Sequence, residues 1–359
     1  MKTILLAPTP PPHGGIAEWT HRMLQCDLKN GWELDVVDEK LRGEREVFSS
    51  KKHFLDEVKR TYEIWHELNI KSRDADVKVV HCCIPASLFA MIREYVSALI
   101  AKKNKCKFII HFRCTVPNMV KSKKSIFVLK RLCNKSDLIM CLNEQTRSFL
   151  SELTKTKQVL IPNFIDGKEL ILNYEVRKTI KKAVYVGGVI RTKGCDDIVE
   201  LAKRFPNIEF ELIGKADQDM ESLVEESHLD NITLMGSMSR DKVMEHLYEA
   251  DVFLFLSRFS GEGFSNALVE AMAIGLPCLV TDWAANKDMV EDKGGIVVGV
   301  RDVDSAVLAL NQMQDYESRK KMSVWNQQKA RNNYNSRVVT DMYVDTYEEV
   351  IGLNNEKKN

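Results

Sequence analysis

Short apolar runs recur along the whole chain, and amphipathic stretches separate them. Residues 3–8 (TILLAP), 34–38 (LDVVD), 77–83 (VKVVHCC), 107–112 (KFIIHF), 137–142 (DLIMCL) and 158–163 (QVLIPN) read as buried strands. Runs of this length, apolar on both sides of the pleat, suit a sheet covered on both faces. The stretches 16–29, 86–103 and 144–153 between them read as helices. The same alternation starts afresh at 182–188 (KAVYVGG) and continues through 208–214, 232–236, 251–257, 276–281 and 294–300. Strands alternating with helices predict parallel sheets, and two such series predict two Rossmann-like α/β domains.

The polar, irregular segment 163–180 (NFIDGKELILNYEVRKTI) separates the series and is the expected hinge. The expected domains are 1–165, 166–335 and a terminal helix, 336–359, packing back toward the first domain. Residues 316–352 read as one long helical region carrying Trp325, Tyr334, Tyr343 and Tyr347. A length of 359 residues agrees with two cores rather than one.

Composition narrows the class. Apolar residues are 44% and charged residues 29%, an ordinary globular balance. No apolar run has the roughly 18–20 residues of a membrane span. The first strand runs into prolines too early for a signal-peptide core, so a cytoplasmic location is expected. The nine cysteines show neither a C-x-x-C pair nor a metal-ligand spacing, and they read as free, buried thiols.

Charge is uneven. Residues 1–150 carry 26 Lys and Arg against 17 Asp and Glu, a balance of +9; residues 151–359 carry 26 against 34, a balance of −8. The basic half points toward an anionic partner. Its densest part, residues 121–136 (KSKKSIFVLKRLCNKS), has six basic residues, no acidic one and an apolar stripe. A basic amphipathic helix of this kind suits peripheral contact with the inner membrane face; a solvated helix face is the alternative.

Three stretches carry candidate chemistry. In residues 8–24 a strand ends in a Pro/Gly loop, and Gly14 and Gly15 precede a helix. Glycines let a ligand approach the backbone, and a helix N-terminus favours anions. In residues 184–202 a strand leads to Gly188, Arg191 and Lys193 on a loop before a helix, an arrangement suited to a diphosphate. Neither stretch is a dinucleotide fingerprint or a Walker loop. In residues 251–275 a strand, the loop RFSGEG and a helix follow one another, with Ser265 or Asn266 as cap. Glu262 lies at the mouth of that helix and Glu270 deeper within it. A carboxylate there can accept the two neighbouring hydroxyls of a ribose. All three stretches sit at the C-terminal ends of strands, where open α/β sheets bind ligands. Phosphate-seeking loops with hydroxyl-seeking carboxylates describe a nucleotide sugar.

The ordered set of motifs resembles the retaining GT-B glycosyltransferases of family 4, the glycosyl transferases group 1. GEGFSNALVEAMAIGLPCLVTD resembles the E-x7-E signature, and VGGVIRTKGCDDIVELA the strand, Arg, Lys-Gly and helix. LIPNFID resembles the interdomain segment, LIMCLNEQTRSFL the segment before it, and HGG at 13–15 the N-terminal glycine loop. The resemblance covers nearly the whole chain and implies a GT-B fold whose parallel sheets face a central cleft. It implies that Arg191 and Lys193 hold the donor diphosphate and that Glu270 binds the ribose hydroxyls. It places Glu262 on the donor sugar with Gly263, Phe264, Ser265 and Asn266 around it. Gly14, Gly15 and Gly188 would line the donor phosphates, and His111 would stand beside the sugar, where an unassisted reading makes it structural.

The chain departs from the pattern at Phe164, where glycine is usual, and at Asp288, which stands where a glutamate is usual. The implied activity is hexosyl transfer from a UDP- or GDP-linked sugar to a saccharide or lipid-linked saccharide acceptor in cell-surface polysaccharide (lipopolysaccharide or capsule) biosynthesis. The sugar nucleotide is a co-substrate, and no cofactor, metal or nucleic-acid partner is expected. The tripeptides Asp74-Ala-Asp76, Asp217-Gln-Asp219 and Asp302-Val-Asp304 read as surface charge rather than metal ligands. A nucleotide-sugar epimerase, a phosphorylase and a non-catalytic sugar-nucleotide-binding subunit are the rival readings.

Overall fold

The computed structural model describes residues 1–11, 14–40, 54–167 and 174–353. The chain divides into two compact units, Met1–Pro162 with Ser336–Asn359, and Asn163–Asn335.

The first unit runs β1 (Lys2–Ala7), α1 (Gly15–Leu24), β2 (Glu33–Asp38), α2 (Phe54–Lys71), β3 (Val77–Ile84), α3 (Leu88–Lys103), β4 (Lys107–Phe112), α4 (Val116–Met119), α5 (Lys123–Lys135), β5 (Leu138–Cys141), α6 (Glu144–Leu153) and β6 (Gln158–Leu160). Its sheet has the order β2-β1-β3-β4-β5-β6, and every pair is parallel. The core is the apolar interior of β1, β3, β4 and β5 with the inward faces of the helices, from Ile4 and Leu6 through Ile110 and Phe112 to Ile139 and Leu150.

The second unit runs β7 (Lys182–Val186), α7 (Cys195–Arg204), β8 (Glu209–Ile213), α8 (Gln218–Ser227), β9 (Ile232–Gly236), α9 (Arg240–Glu249), β10 (Val252–Phe255), α10 (Asn266–Ile274), β11 (Cys278–Thr281), α11 (Asn286–Val290), β12 (Gly295–Val298), α12 (Val303–Gln312) and α13 (Tyr316–Asn333). Its sheet is again six-stranded and parallel, in the order β12-β11-β10-β7-β8-β9. Strands β10 and β11 are buried throughout, which is why their sequences are continuous apolar runs.

Each expected strand is present, with shorter ends in several places. The expected helix over 16–29 stops at Leu24, and a single 3₁₀ turn, Lys29–Gly31, precedes β2. The long helical region is two helices, α13 and α14 (Ser336–Ile351), broken at Tyr334 and Asn335. There the Tyr334 carbonyl accepts the Ile165 amide at 2.9 Å. Helix α14 packs within the first unit: its Tyr343 and Tyr347 are fully buried, and its Glu348 accepts a hydrogen bond from Asn30 at 2.7 Å. Part of the expected hinge, residues 168–173, and Pro12 and His13 of the glycine loop lie outside the described residues.

Candidate functional site

Strand order sets the geometry of the second unit. β7 lies between β10 and β8, so the loops leaving these three strands are neighbours although far apart in sequence. After β7 the chain passes Gly187 and Gly188, makes a 3₁₀ turn at Arg191–Lys193 and enters α7 through Gly194. Gly194 is left-handed (φ 78°), and a Cβ there would stand 2.1 Å from the Leu256 carbonyl oxygen. Only glycine fits both the dihedral and the close approach. The two loops are further joined where the Arg258 amide donates to the Thr192 carbonyl at 2.9 Å. The Arg258 guanidinium reaches Asp197 at 2.8 Å and Asp196 at 2.5 Å, both in the first turn of α7.

This junction brings Lys193 to Glu262. The ammonium donates to Oε2 at 2.5 Å, and Ser257 Oγ donates to the same oxygen at 3.2 Å. Lys193 also lies 4.8 Å from the Phe259 ring centroid. Its side chain is 20% exposed and that of Glu262 10%, so the pair is open to solvent on one side only. Arg191 turns the other way and pairs with Asp219 at the start of α8, Nη2 to Oδ1 at 3.1 Å. That guanidinium holds the Asp219 carboxyl below its usual range. The two cations thus share a turn but have different carboxylates.

Helix α10 begins where expected: Ser265 is its N-cap and accepts the Leu268 amide at 3.2 Å. Asn266 is not the cap; its side-chain oxygen accepts from Asn163, which also donates to the Phe264 carbonyl, both at 2.8 Å. The Phe264 ring packs edge-on against Tyr334 at 5.3 Å, and Gly263 is buried. Glu270 lies in the second turn of α10, 7% exposed, and Arg240 at the start of α9 pairs with its Oε1 at 3.0 Å. The Gly188 carbonyl accepts the Tyr185 hydroxyl at 2.9 Å. Asp288 is exposed in α11, and Phe164 is buried. Gly14 and Gly15 belong to the first unit, at the start of α1; a Cβ on either would meet nothing within 4 Å. Internal packing therefore does not require glycine at these two positions.

His111 is fully buried at the end of β4. Its Nε2 is 3.3 Å from Arg113 Nη1, its Nδ1 is 3.1 Å from His81 Nε2, and His81 Nδ1 is 2.7 Å from the Tyr347 hydroxyl. Arginine has donors only, so Nε2 of His111 accepts. His111 Nδ1–H then donates to His81, and His81 Nδ1–H donates to Tyr347. One cation sets the direction of the whole chain. Burial first, and the Arg113 charge second, push His81 down to about 3 and His111 well below the usual histidine range, so both rings are neutral. Trp19 stands edge-on to both rings, at 5.6 and 5.8 Å, with Arg113 4.6 Å over its own ring.

His81, Cys83 and His111 have ligand atoms within 4.8 Å of one another, the one such group of three among the described residues. A metal would take the Nδ1 lone pair of His111 and move its proton to Nε2, against the Arg113 N–H. The donor set therefore suits a hydrogen-bonded chain better than an ion. Of the three D-x-D tripeptides, Asp217 and Asp302 cap helices and Asp74 pairs with Lys2. All nine cysteines are thiols outside any disulfide, and all but Cys26 are buried.

Several side chains that pair with the candidate residues had no role assigned from the sequence: Arg240, Ser257, Arg258, Asn163, His81, Arg113, and Asp219, which was read as surface charge. Asn163 lay within a quoted motif, the PNFID segment, without being given a role.

Two parallel six-stranded α/β units are the GT-B architecture. Over residues 168–330 the chain matches the family model described as glycosyl transferases group 1. It is similar to an uncharacterized glycosyltransferase of Methanocaldococcus jannaschii, 27% identical over 198 residues, which are 54% of this chain and 54% of the relative. The chain thus spans about half the length of that relative. The fold is shared with the sucrose-phosphate synthase of Thermosynechococcus elongatus (TM-score 0.78, 15% identity, 98% and 99% of the two chains). It is shared as well with the Anabaena protein HepE in complex with UDP (TM-score 0.71, 13% identity, 97% and 100%).

Proposed function

We propose that this protein is a retaining glycosyltransferase of the family 4 type. It moves a hexosyl group from a UDP- or GDP-linked sugar to a saccharide or lipid-linked saccharide, in cell-surface polysaccharide biosynthesis at the cytoplasmic side of the membrane. The observation that carries this reading is the Lys193–Glu262 pair at the joined ends of β7 and β10, beside the helix α7 and α10 N-termini. A matched glycosyl transferases group 1 domain over the same residues supports it, as does the UDP held by a neighbour of the same fold.

On this reading Lys193 and Arg191 exchange their carboxylate partners for donor phosphates, and the α7 N-terminus adds its amides. Glu270, fixed by Arg240, accepts the ribose hydroxyls, and Glu262 turns to a hydroxyl of the donor sugar. The bond between the anomeric carbon and the phosphate oxygen breaks with its electron pair on the diphosphate. Lys193 and Arg191 stabilise that charge as it develops, so the chemistry needs no metal. The acceptor oxygen bonds to the anomeric carbon on the same face, and its proton passes to a phosphate oxygen. The residues contribute chiefly position and charge stabilisation. His111, neutral and fully buried with both ring nitrogens engaged, acts on this reading within the buried chain to His81 and Tyr347.

The test is thermal-shift and donor-hydrolysis screening of the purified protein with UDP-, GDP-, ADP- and dTDP-sugars in EDTA. Stabilisation by one donor, lost in Glu270→Ala and Lys193→Ala, is expected. No shift with any donor would overturn the assignment of the donor site.

A further inference from the structure

Helix α3 packs against both α2 and α5 on one side of the first sheet. Its inner face buries Met91, Ala98 and Ala101, but Leu88, Phe89, Ile92 and Leu99 point outward with 40–49% of their surface exposed. Positions 88, 92 and 99 fall on one stripe of a helix, with Phe89 beside it. Of the fifteen large apolar side chains exposed among the described residues, nine lie on α2, α3 and α5, so the exposure is concentrated rather than scattered. Phe127, at the centre of α5, is 59% exposed, and the Arg131 guanidinium lies 5.0 Å over its ring. Around it Lys121, Lys123, Lys124, Lys130 and Arg131 are all exposed, and among the described residues none of them pairs with a carboxylate. Ser122 caps the helix through a reciprocal box with Ser125, so this cationic segment is a fixed helix.

We infer that the outer face of α3 and α5 is a docking surface for an anionic lipid bilayer. The α3 stripe and Phe127 enter the headgroup boundary, and the α5 cations bind the surface charge. A protein partner or a second copy would need acidic groups set against these cations, whereas α2 beside them carries charges of both signs. A bilayer supplies a continuous anionic sheet and accepts apolar side chains at the same depth. The inference deepens the proposed function: it rests on that reading for its purpose, bringing the enzyme to a lipid-linked acceptor.

The experiment is co-sedimentation of the full chain with phosphatidylcholine vesicles, alone or mixed with phosphatidylglycerol, at low and high salt. Binding is expected only to the mixed vesicles and is weakened by salt. Changing Lys123, Lys124 and Lys130 together to Glu should weaken it roughly 100-fold, counting about 1 kcal/mol per cation. Phe89→Ser with Phe127→Ser should weaken it at both salt concentrations. Thermal stabilisation by the sugar nucleotide, unchanged in both variants, shows that they fold. Equal binding to neutral vesicles, binding that survives the charge reversal, or a dimer that Phe89→Ser dissolves would each overturn the inference. Absent vesicle binding with intact nucleotide stabilisation sinks the docking surface alone. Vesicle binding without any nucleotide response sinks the transferase reading alone.

Discussion

Glu262→Gln should bind the free nucleoside diphosphate more tightly than the native protein while turning over more slowly. Glu262 holds the Lys193 ammonium at 2.5 Å, so an arriving diphosphate meets a cation already paired and a carboxylate at close range. Two unit charges about 4 Å apart interact by about 4 kcal/mol at an effective dielectric near 20. With side chains 20% and 10% exposed, solvent and salt reduce that figure. A net gain of about 1–2 kcal/mol remains, roughly a ten-fold lower Kd. Glutamine is nearly isosteric, and its oxygen still accepts from Ser257, so the loop should keep its shape. The assay is isothermal titration calorimetry with UDP, or with GDP if the native protein prefers it, at two salt concentrations. The gain should shrink at high salt, and turnover of the matching sugar nucleotide should fall by about 10²-fold, because a contact with the sugar made in the transition state is lost. If the variant binds the diphosphate no more tightly than the native protein, the ion pair does not compete with phosphate. The placement of the diphosphate at Lys193 would then be wrong.

Arg240→Ala should raise the donor KM about 5- to 10-fold with kcat nearly unchanged, because it removes the cation that pairs with the Glu270 carboxylate; steady-state kinetics separates the two parameters, and an unchanged KM would make the pair incidental. Gly194→Ala should lose about 2–4 kcal/mol of stability by urea denaturation, from left-handed strain and from a Cβ 2.1 Å from the Leu256 oxygen. Tyr347→Phe should cost about 1–3 kcal/mol, since the His81 Nδ1–H loses its acceptor in a dry site. The same histidines set a pH dependence. His81 titrates near 3 in the folded protein against 6.5 when unfolded, so the unfolded chain takes up protons first. Their contribution is fully present above pH 6.5 and falls as pH drops toward 3, by up to about 1.4 kcal/mol per unit for each ring. Urea midpoints followed down in pH check this, and a flat profile below pH 6 would show that the rings are charged in the folded state.

The fold was legible because the central strands, among them β3, β4, β5, β10 and β11, are buried on both faces, which leaves continuous apolar runs. Its errors sit where backbone groups find partners outside the ladder. The run 276–281 enters its strand only at Cys278 because the Leu276 amide closes the end of α10 on the Ala271 carbonyl. The run 251–257 leaves its strand at Phe255: the Ser257 carbonyl accepts the Thr281 hydroxyl, and the Leu256 carbonyl faces Gly194. Between α13 and α14 the Asn and Ser residues around Tyr334 marked a break that continuous helical periodicity concealed.

The candidate site divides along the same line. Single residues were readable because glycine, lysine and glutamate occur at strand ends in a fixed local order. Their partners were not, because pairing follows the order of strands in the sheet, β10-β7-β8, which periodicity does not encode. That order sets Lys193 against Glu262, 69 residues away, and Arg191 against Asp219, 28 residues away. A chain with the same motifs but β7 at a sheet edge would present the same cations to water, each unpaired. The paired arrangement keeps both charges ordered at little cost when no anion is bound. It also makes phosphate binding an exchange of partners, which is why the response to Glu262→Gln is the sharpest test of the site.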